Sequence, residues 1–287
     1  MRSKDQTLKK INKTLVNFIW GTTREVAKRA LMYKSKKDGG LGAVDLGLKL
    51  KIAFCKNIAS GFQRKVMWIG EALSWTKKKG RARTSFPYFK IQYGDLMANS
   101  AHLNIDWLEM SSKTIYFILC NDLYGGIFPY KNLTDSQKQV CVRNICSKEL
   151  SEKKRDTMWL VSVRRLPVRA VVKWSCFVKT VKCPKDNCEE DESIEHLLVD
   201  CHRAQYVWGE MTRVGLHFNI THNAIMYGVF EENMSTMDQD FFWTVICTVV
   251  NKLWNTRSVM VIHHEIISGE VVLKQIKTEL KRQNTGL

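Results

Sequence analysis

The chain has 287 residues, 45% of them hydrophobic, which is enough for one large core or two modest ones and too apolar for general disorder. Its 4 prolines and 16 glycines supply little of the punctuation that a many-stranded sheet protein needs, so a mainly α fold is expected. The net charge of +17 is uneven: residues 1–100 carry 22 Lys+Arg against 6 Asp+Glu, whereas residues 101–287 carry 23 against 22.

A basic third joined to a near-neutral remainder suits phosphate binding by one part of the chain, because Lys and Arg displace counterions from nucleic acid. A solvated basic helical face is the plainer alternative. The opening MRSKDQTLKK has no apolar stretch of the kind a secretory signal carries. The longest apolar run, Phe241 to Val250, is shorter than the roughly 20 residues of a membrane span. Nine cysteines, an odd number, argue against a secreted disulfide framework. The expectation is a soluble intracellular chain, nuclear and/or cytoplasmic.

In chain order, Leu8, Ile11, Leu15, Phe18 and Ile19 recur at helical spacing and predict an opening amphipathic helix that stops near Trp20-Gly21. The following KSKKDGGLG, Lys34 to Gly42, is a basic loop whose glycines permit positive φ or close backbone approach, whether to cradle phosphate or to turn tightly. Ala43 to about Glu71 reads as a longer helix with Leu46, Leu50, Ala53, Phe54, Ile58 and Phe62 as its apolar stripe. KKKGRAR, Lys77 to Arg83, is open to three readings: nuclear import signal, phosphate patch or solvated linker. A helix over Ser111 to Leu123 and a Gly125-Gly126 break follow.

Thr134 and Gln137 have the form of a capping box, and the helix they open carries Cys141 and Cys146, read as small core residues. From Lys153 to Lys182 there are nine basic residues and one acid, with Trp159, Trp174 and Phe177 among them. Such aromatics either stack on unpaired bases or fill a helical core. Ala204, Tyr206, Val207, Trp208 and Met211 predict core, and Asp238 to about Ile262 is the strongest late helix. His263 and His264 read as surface or capping residues, and Val271 to Arg282 closes the chain with a basic-ended helix.

Cys183, Cys188, His196 and Cys201 form C-x4-C-x7-H-x4-C, a Cys3His set of the kind that holds structural Zn2+ in a closed tetrahedral shell. His202 is a rival for the histidine position, but His196 is better placed on the predicted helix Ser193 to Val199. Glu189 to Glu192 is an acidic run that repels phosphate, so a nucleic-acid contact near this site is expected on the flank of Lys179, Lys182 and Lys185.

Asn17-Phe18-Ile19-Trp20-Gly21 followed by Lys37-Asp38-Gly39-Gly40-Leu41-Gly42 resembles the segment after the polymerase core in reverse transcriptases of non-LTR retrotransposons, the long interspersed elements. MWLVSVRRLPVR ending at Arg169, then CPKDNC, Glu195-His196-Leu197-Leu198, and Cys201 with Ala204 and Trp208 is similar to the C-terminal zinc-binding domain of those proteins. The stretch around Tyr227-Gly228 and Leu253-Trp254-Asn255-Thr256-Arg257 is similar to the tail beyond it. The resemblance covers roughly residues 7–75 and 155–262, and departs from the family in the longer gap between the first two cysteines. It implies four segments: a basic thumb-like helical region (1–100), a connector (101–150), a zinc-binding domain (151–215) and a helical tail (216–287).

The family's polymerase uses an Asp-Asp pair to hold two metal ions, and no such pair occurs in this sequence. The expected protein is therefore a non-enzymatic fragment, beginning after the polymerase core and any endonuclease, that binds one zinc and contacts RNA or DNA within a retroelement ribonucleoprotein. The expected phosphate contacts are Lys34, Lys36, Lys37, Lys77, Lys78, Lys79, Arg81, Arg83, Arg164, Arg165, Arg169 and Lys173. A zinc-stapled protein-interaction module and a translated relic are the alternatives.

Overall fold

The computed structural model describes residues 2–20, 25, 27–64, 96, 100–125, 133–173, 178–185, 188–214, 219–230 and 234–283. Helices dominate, and among the described residues extended pairing is limited to an isolated antiparallel bridge between Lys182 and Asp191. The chain divides into two units, residues 1–35 with 40–127 and residues 36–39 with 128–287.

In the first unit, α1 (Arg2–Trp20), α2 (Arg29–Tyr33), α3 (Leu46–Gln63) and α4 (Ser112–Tyr124) are the main elements. Asp45 opens α3 by accepting the Leu48 N–H on Oδ1 at 3.1 Å, and Ser111 opens α4 by accepting the Thr114 N–H at 3.0 Å. Leu48, Ile52 and Cys55 pack against Ile115, Leu119 and Cys120, with Trp107 beside them. This row differs from the predicted stripe: Leu50 is exposed and Ile58 is its buried member. The start of α3 is fixed by Asp45, whose Oδ2 accepts the Tyr124 hydroxyl at 2.7 Å while its N–H donates to the Tyr116 oxygen at 2.7 Å. Those bonds choose which row of α3 faces α4. Burial pushes the hydroxyls of Tyr116 and Tyr124 above their ordinary pKa. On α1 the inward residue is Val16, whereas Phe18 is 86% exposed.

Two glycines of the 34–42 loop adopt positive φ, Gly39 at 85° and Gly42 at 67°, and a Cβ on Gly40 would collide with the backbone of Lys34. Tight turning is what these glycines serve here. Lys34, expected on a phosphate surface, is only 2% exposed, and its Nζ donates to the Gly125 carbonyl at 3.0 Å. It is corrected to a structural cation at the carbonyl end of α4, where positive charge is favoured.

The second unit contains α5 (Asp135–Ile145), α6 (Glu152–Ser162), α7 (His202–Arg213), α8 (His222–Tyr227), α9 (Thr236–His263) and α10 (Gly269–Arg282). The Thr134–Gln137 capping box is present in both its bonds. The 28-residue α9 is the axis of the unit, packing on α6 and α10 with Trp243, Ile246, Val250 and Leu253 buried. Lys154 of α6 enters this core: its Nζ donates to Thr248 Oγ1 at 2.8 Å and pairs with Glu279 Oε1 at 2.7 Å, and Lys252 takes the other Glu279 oxygen at 3.0 Å. Asn144 ties three elements together, donating from Nδ2 to the Gly228 carbonyl and accepting the Trp243 Nε1–H on its own carbonyl, both at 3.0 Å.

The predicted connector does not stand as one segment, because α4 belongs to the first unit and α5 to the second. Nor is the predicted tail separate from the Cys/His segment, since α9 packs on the 196–200 turn and α10 on α7 within the same unit. Cys141 is core as expected, but Cys146 and Tyr206 are exposed. His263 is exposed, and His264, at φ 58°, caps α9.

Candidate metal centre

Cys183, Cys188, His196 and Cys201 converge, their ligand atoms all within 4.8 Å of one another, and the group can hold a metal ion. Two pieces of backbone bring this about. Around the Lys182–Asp191 bridge, the Cys183 N–H donates to the Glu190 carbonyl at 2.8 Å and the Glu192 N–H to Val181 at 2.9 Å. These bonds bring Cys188 back toward Cys183.

The second piece is a π-helical turn, His196–Asp200, closed by the Cys201 N–H donating to the His196 carbonyl at 2.7 Å. In an α-helix, residues five apart point roughly 140° away from each other. The wider i→i+5 turn returns them to one side, so His-x4-Cys becomes a ligating pair. Leu197 and Leu198, fully buried, anchor the turn beneath. Trp208 of α7 donates Nε1–H to the Leu198 carbonyl at 2.8 Å and holds the turn to the next helix.

One of the sulfurs, that of Cys201, is favoured as a thiolate. Cys201 is held far below the usual thiol range, at about 4, chiefly by a hydrogen bond from the Cys183 thiol, with the Lys185 charge and the Arg203 backbone N–H acting in the same sense against burial. That bond raises Cys183, while the Lys185 backbone N–H donates to its sulfur and opposes the rise. Cys188 Sγ lies 3.2 Å from His196 Nε2, and His202 Nδ1 is 3.9 Å from Cys201 Sγ on an exposed ring. His196 is thus the histidine inside the group.

The donor set fits a thiophilic cation, and so does one orphaned atom. Lys185 is 4% exposed and its Nζ has no hydrogen-bond partner. A buried ammonium of this kind calls for negative charge nearby, and thiolates on a bound metal would provide it.

Glu192 was expected in a phosphate-repelling acidic loop and instead is fully buried. Its carboxylate takes both Arg257 hydrogen bonds, Nε at 2.8 Å and Nη2 at 2.7 Å, and also accepts the Arg169 N–H at 2.8 Å. The Arg257 guanidinium additionally lies 5.2 Å from the Trp254 ring centroid. The ligand-bearing arm is thereby bolted to α9. Asp191 pairs with Lys182 at 3.0 Å yet stays exposed, as do Glu189 and Glu190. The sequence held one clue to the bolt: Arg257 lies four residues after Leu253 on the apolar row of α9, where a charge needs a buried partner.

The expected phosphate contacts fare unequally. Lys36, Lys37 and Lys173 are exposed; Arg164 is exposed but pairs with Glu195 at 3.0 Å, and Arg165 is half-buried. Arg169 donates from Nη1 to the Lys182 carbonyl at 2.8 Å. Lys77, Lys78, Lys79, Arg81 and Arg83, together with Trp174 and Phe177, lie outside the described residues. Trp159 is no base-stacking ring: it is buried and donates Nε1–H to the Gly39 carbonyl at 3.0 Å. Of the expected flank beside the metal ligands, Lys179 is exposed, Lys182 is ion-paired and Lys185 is buried.

No protein-family model matches the chain, and neither a curated protein nor a solved structure gives a significant match to it. Among the described residues, no helix is long and apolar enough to cross a membrane.

Proposed function

We propose that this chain is a zinc-stapled, non-catalytic nucleic-acid-binding protein, related to the C-terminal part of non-LTR retrotransposon reverse transcriptases and acting in the nucleus and/or cytoplasm. The metal is zinc, because three thiolates and one imidazole are a set that zinc fills tetrahedrally. Ligands at a Zn–S distance of about 2.3 Å stand roughly 3.8 Å apart along a tetrahedral edge, which suits a cluster whose ligand atoms all fall within 4.8 Å. Four protein ligands close the shell, so the ion supplies folding energy and not a reactive water.

The observation that carries the reading is the separation of charge from metal. The first unit holds 21 Lys+Arg against 8 Asp+Glu, while the unit with the Cys/His group holds 24 against 20. Lys9, Lys10 and Lys13 of α1 and Lys49 and Lys51 of α3 are exposed in the basic unit. They suit the phosphate backbone, with affinity that depends on salt and only weakly on base sequence. Titration of the full chain against RNA and DNA at rising salt is the test. Affinity falling log-linearly with salt, with a slope of about −0.7 to −0.9 per neutralised phosphate, is expected; no binding at low salt would overturn the proposal.

A protein-interaction role is the second reading, favoured by the exposed Glu189 and Glu190 beside the metal ligands. Capture of the same proteins before and after nuclease treatment separates it from the first.

A further inference from the structure

Lys185 is the side chain that the fold alone leaves unexplained. It follows Cys183 by two residues, it is 4% exposed, and its Nζ has no hydrogen-bond partner. Lysine is almost never buried without a partner, because the ammonium loses its hydration and gains nothing in return. Its main chain is already part of the metal group, donating a hydrogen bond to the Cys183 sulfur, and its side-chain charge acts on Cys201. Three thiolates, one neutral imidazole and one divalent ion sum to −1. A single ammonium brings the assembly to zero.

We propose that Lys185 is the outer-shell cation of the metal site, its buried Nζ donating to the ligating sulfurs when the ion is bound and neutralising the excess charge of a Cys3His set. This rests on the zinc reading above. Outer-shell partners orient ligands and set their basicity, and their loss typically weakens metal affinity by about 10- to 100-fold. The role has a signature that packing alone does not produce. The Nζ finds no acceptor among its neighbours and metal-bound thiolates would supply one, so removal of Lys185 should cost stability with zinc bound and little or none without it.

The experiment uses the full chain and its Lys185→Met variant, with zinc affinity measured by competition against a chromophoric chelator and thermal melting followed with zinc and with EDTA. Zinc affinity about 10- to 100-fold weaker in Lys185→Met is expected, with a Tm lower than wild type in zinc and little changed in EDTA. Lys185→Arg, which keeps the charge, is expected to recover most of the affinity. Asp186 is the rival counter-ion by sequence, and Asp186→Asn is expected to leave zinc affinity near wild type. Wild-type affinity in Lys185→Met, an equal loss of Tm with and without zinc, or a loss in Asp186→Asn as large as that in Lys185→Met would each overturn the inference while leaving the zinc reading intact. A wild-type chain that takes up no zinc would remove both.

Discussion

The two units of this chain solve the problem of polar groups near a core in opposite ways. The first has a small apolar cluster on α3 and α4, and its polar anchors, Asp45 with Tyr116 and Tyr124 and Lys34 on the Gly125 carbonyl, each tie one short element to another. Among its described residues, most of the basic side chains, such as Lys9, Lys10, Lys13, Lys49 and Lys51, are exposed. The second buries charge outright: Glu192 with Arg257, and Lys154 with Glu279 and Thr248, cross its core between helices distant in sequence. A buried charge is tolerable only where its partner is held in place. The comparison teaches that the second unit is fixed by buried charge pairs and the Cys/His group, and the first by contacts of single polar side chains with hydroxyls and a carbonyl.

Removing the metal should separate the units most widely. Chelation is expected to withdraw on the order of 10 to 16 kcal/mol of apparent metal-binding energy, and that loss falls on the second unit, so circular dichroism should show a partial fall in helical signal with a residual transition. An EDTA-treated protein with an unchanged melt would break the comparison at its strongest point. Next in size is the Glu192–Arg257 bolt. Arg257→Met leaves a carboxylate buried without its charge partner and should cost about 3–5 kcal/mol in urea unfolding. Replacing both residues with apolar ones should cost less than the single change, and a double variant as unstable as the sum of its parts would contradict the pairing.

Gly228 offers a smaller cut within the same unit. It sits at φ 65° as the cap of α8, and a Cβ there would meet Asn144 and the Trp243 ring at 2.6 Å. Gly228→Ala should destabilise by about 1–3 kcal/mol through backbone strain and overlap, and a neutral result would show that the Asn144 node yields easily. The smallest stability change is expected in the first unit. Replacing Lys9, Lys10 and Lys13 together by Ala should alter stability by less than about 0.5 kcal/mol per site, yet lower the salt slope of nucleic-acid binding by about one for each phosphate that is no longer neutralised. Unchanged binding at every salt concentration would move the proposed interface off α1.

Much of this arrangement is legible in the sequence wherever a local rule governs it. The Thr134 capping box, the turning glycines Gly39 and Gly42, the span of α9 and the four converging ligands follow from short-range chemistry. Long-range choices are not legible. Which row of α3 turns inward is set by Tyr116 and Tyr124, about seventy residues away, bonding to Asp45. Glu192 reads as one of four solvated acids because its partner, Arg257, lies 65 residues further on. Nor does any spacing rule announce that His196 to Cys201 folds as a π turn. Only the finished backbone shows how His-x4-Cys becomes one side of a metal site.

The central claim is that Cys183, Cys188, His196 and Cys201 hold one zinc ion. Metal analysis of the purified chain beside its Cys188→Ser variant tests it most directly. One zinc per wild-type chain and a marked loss in the variant are predicted; equal zinc in the two proteins, or none in either, would contradict it.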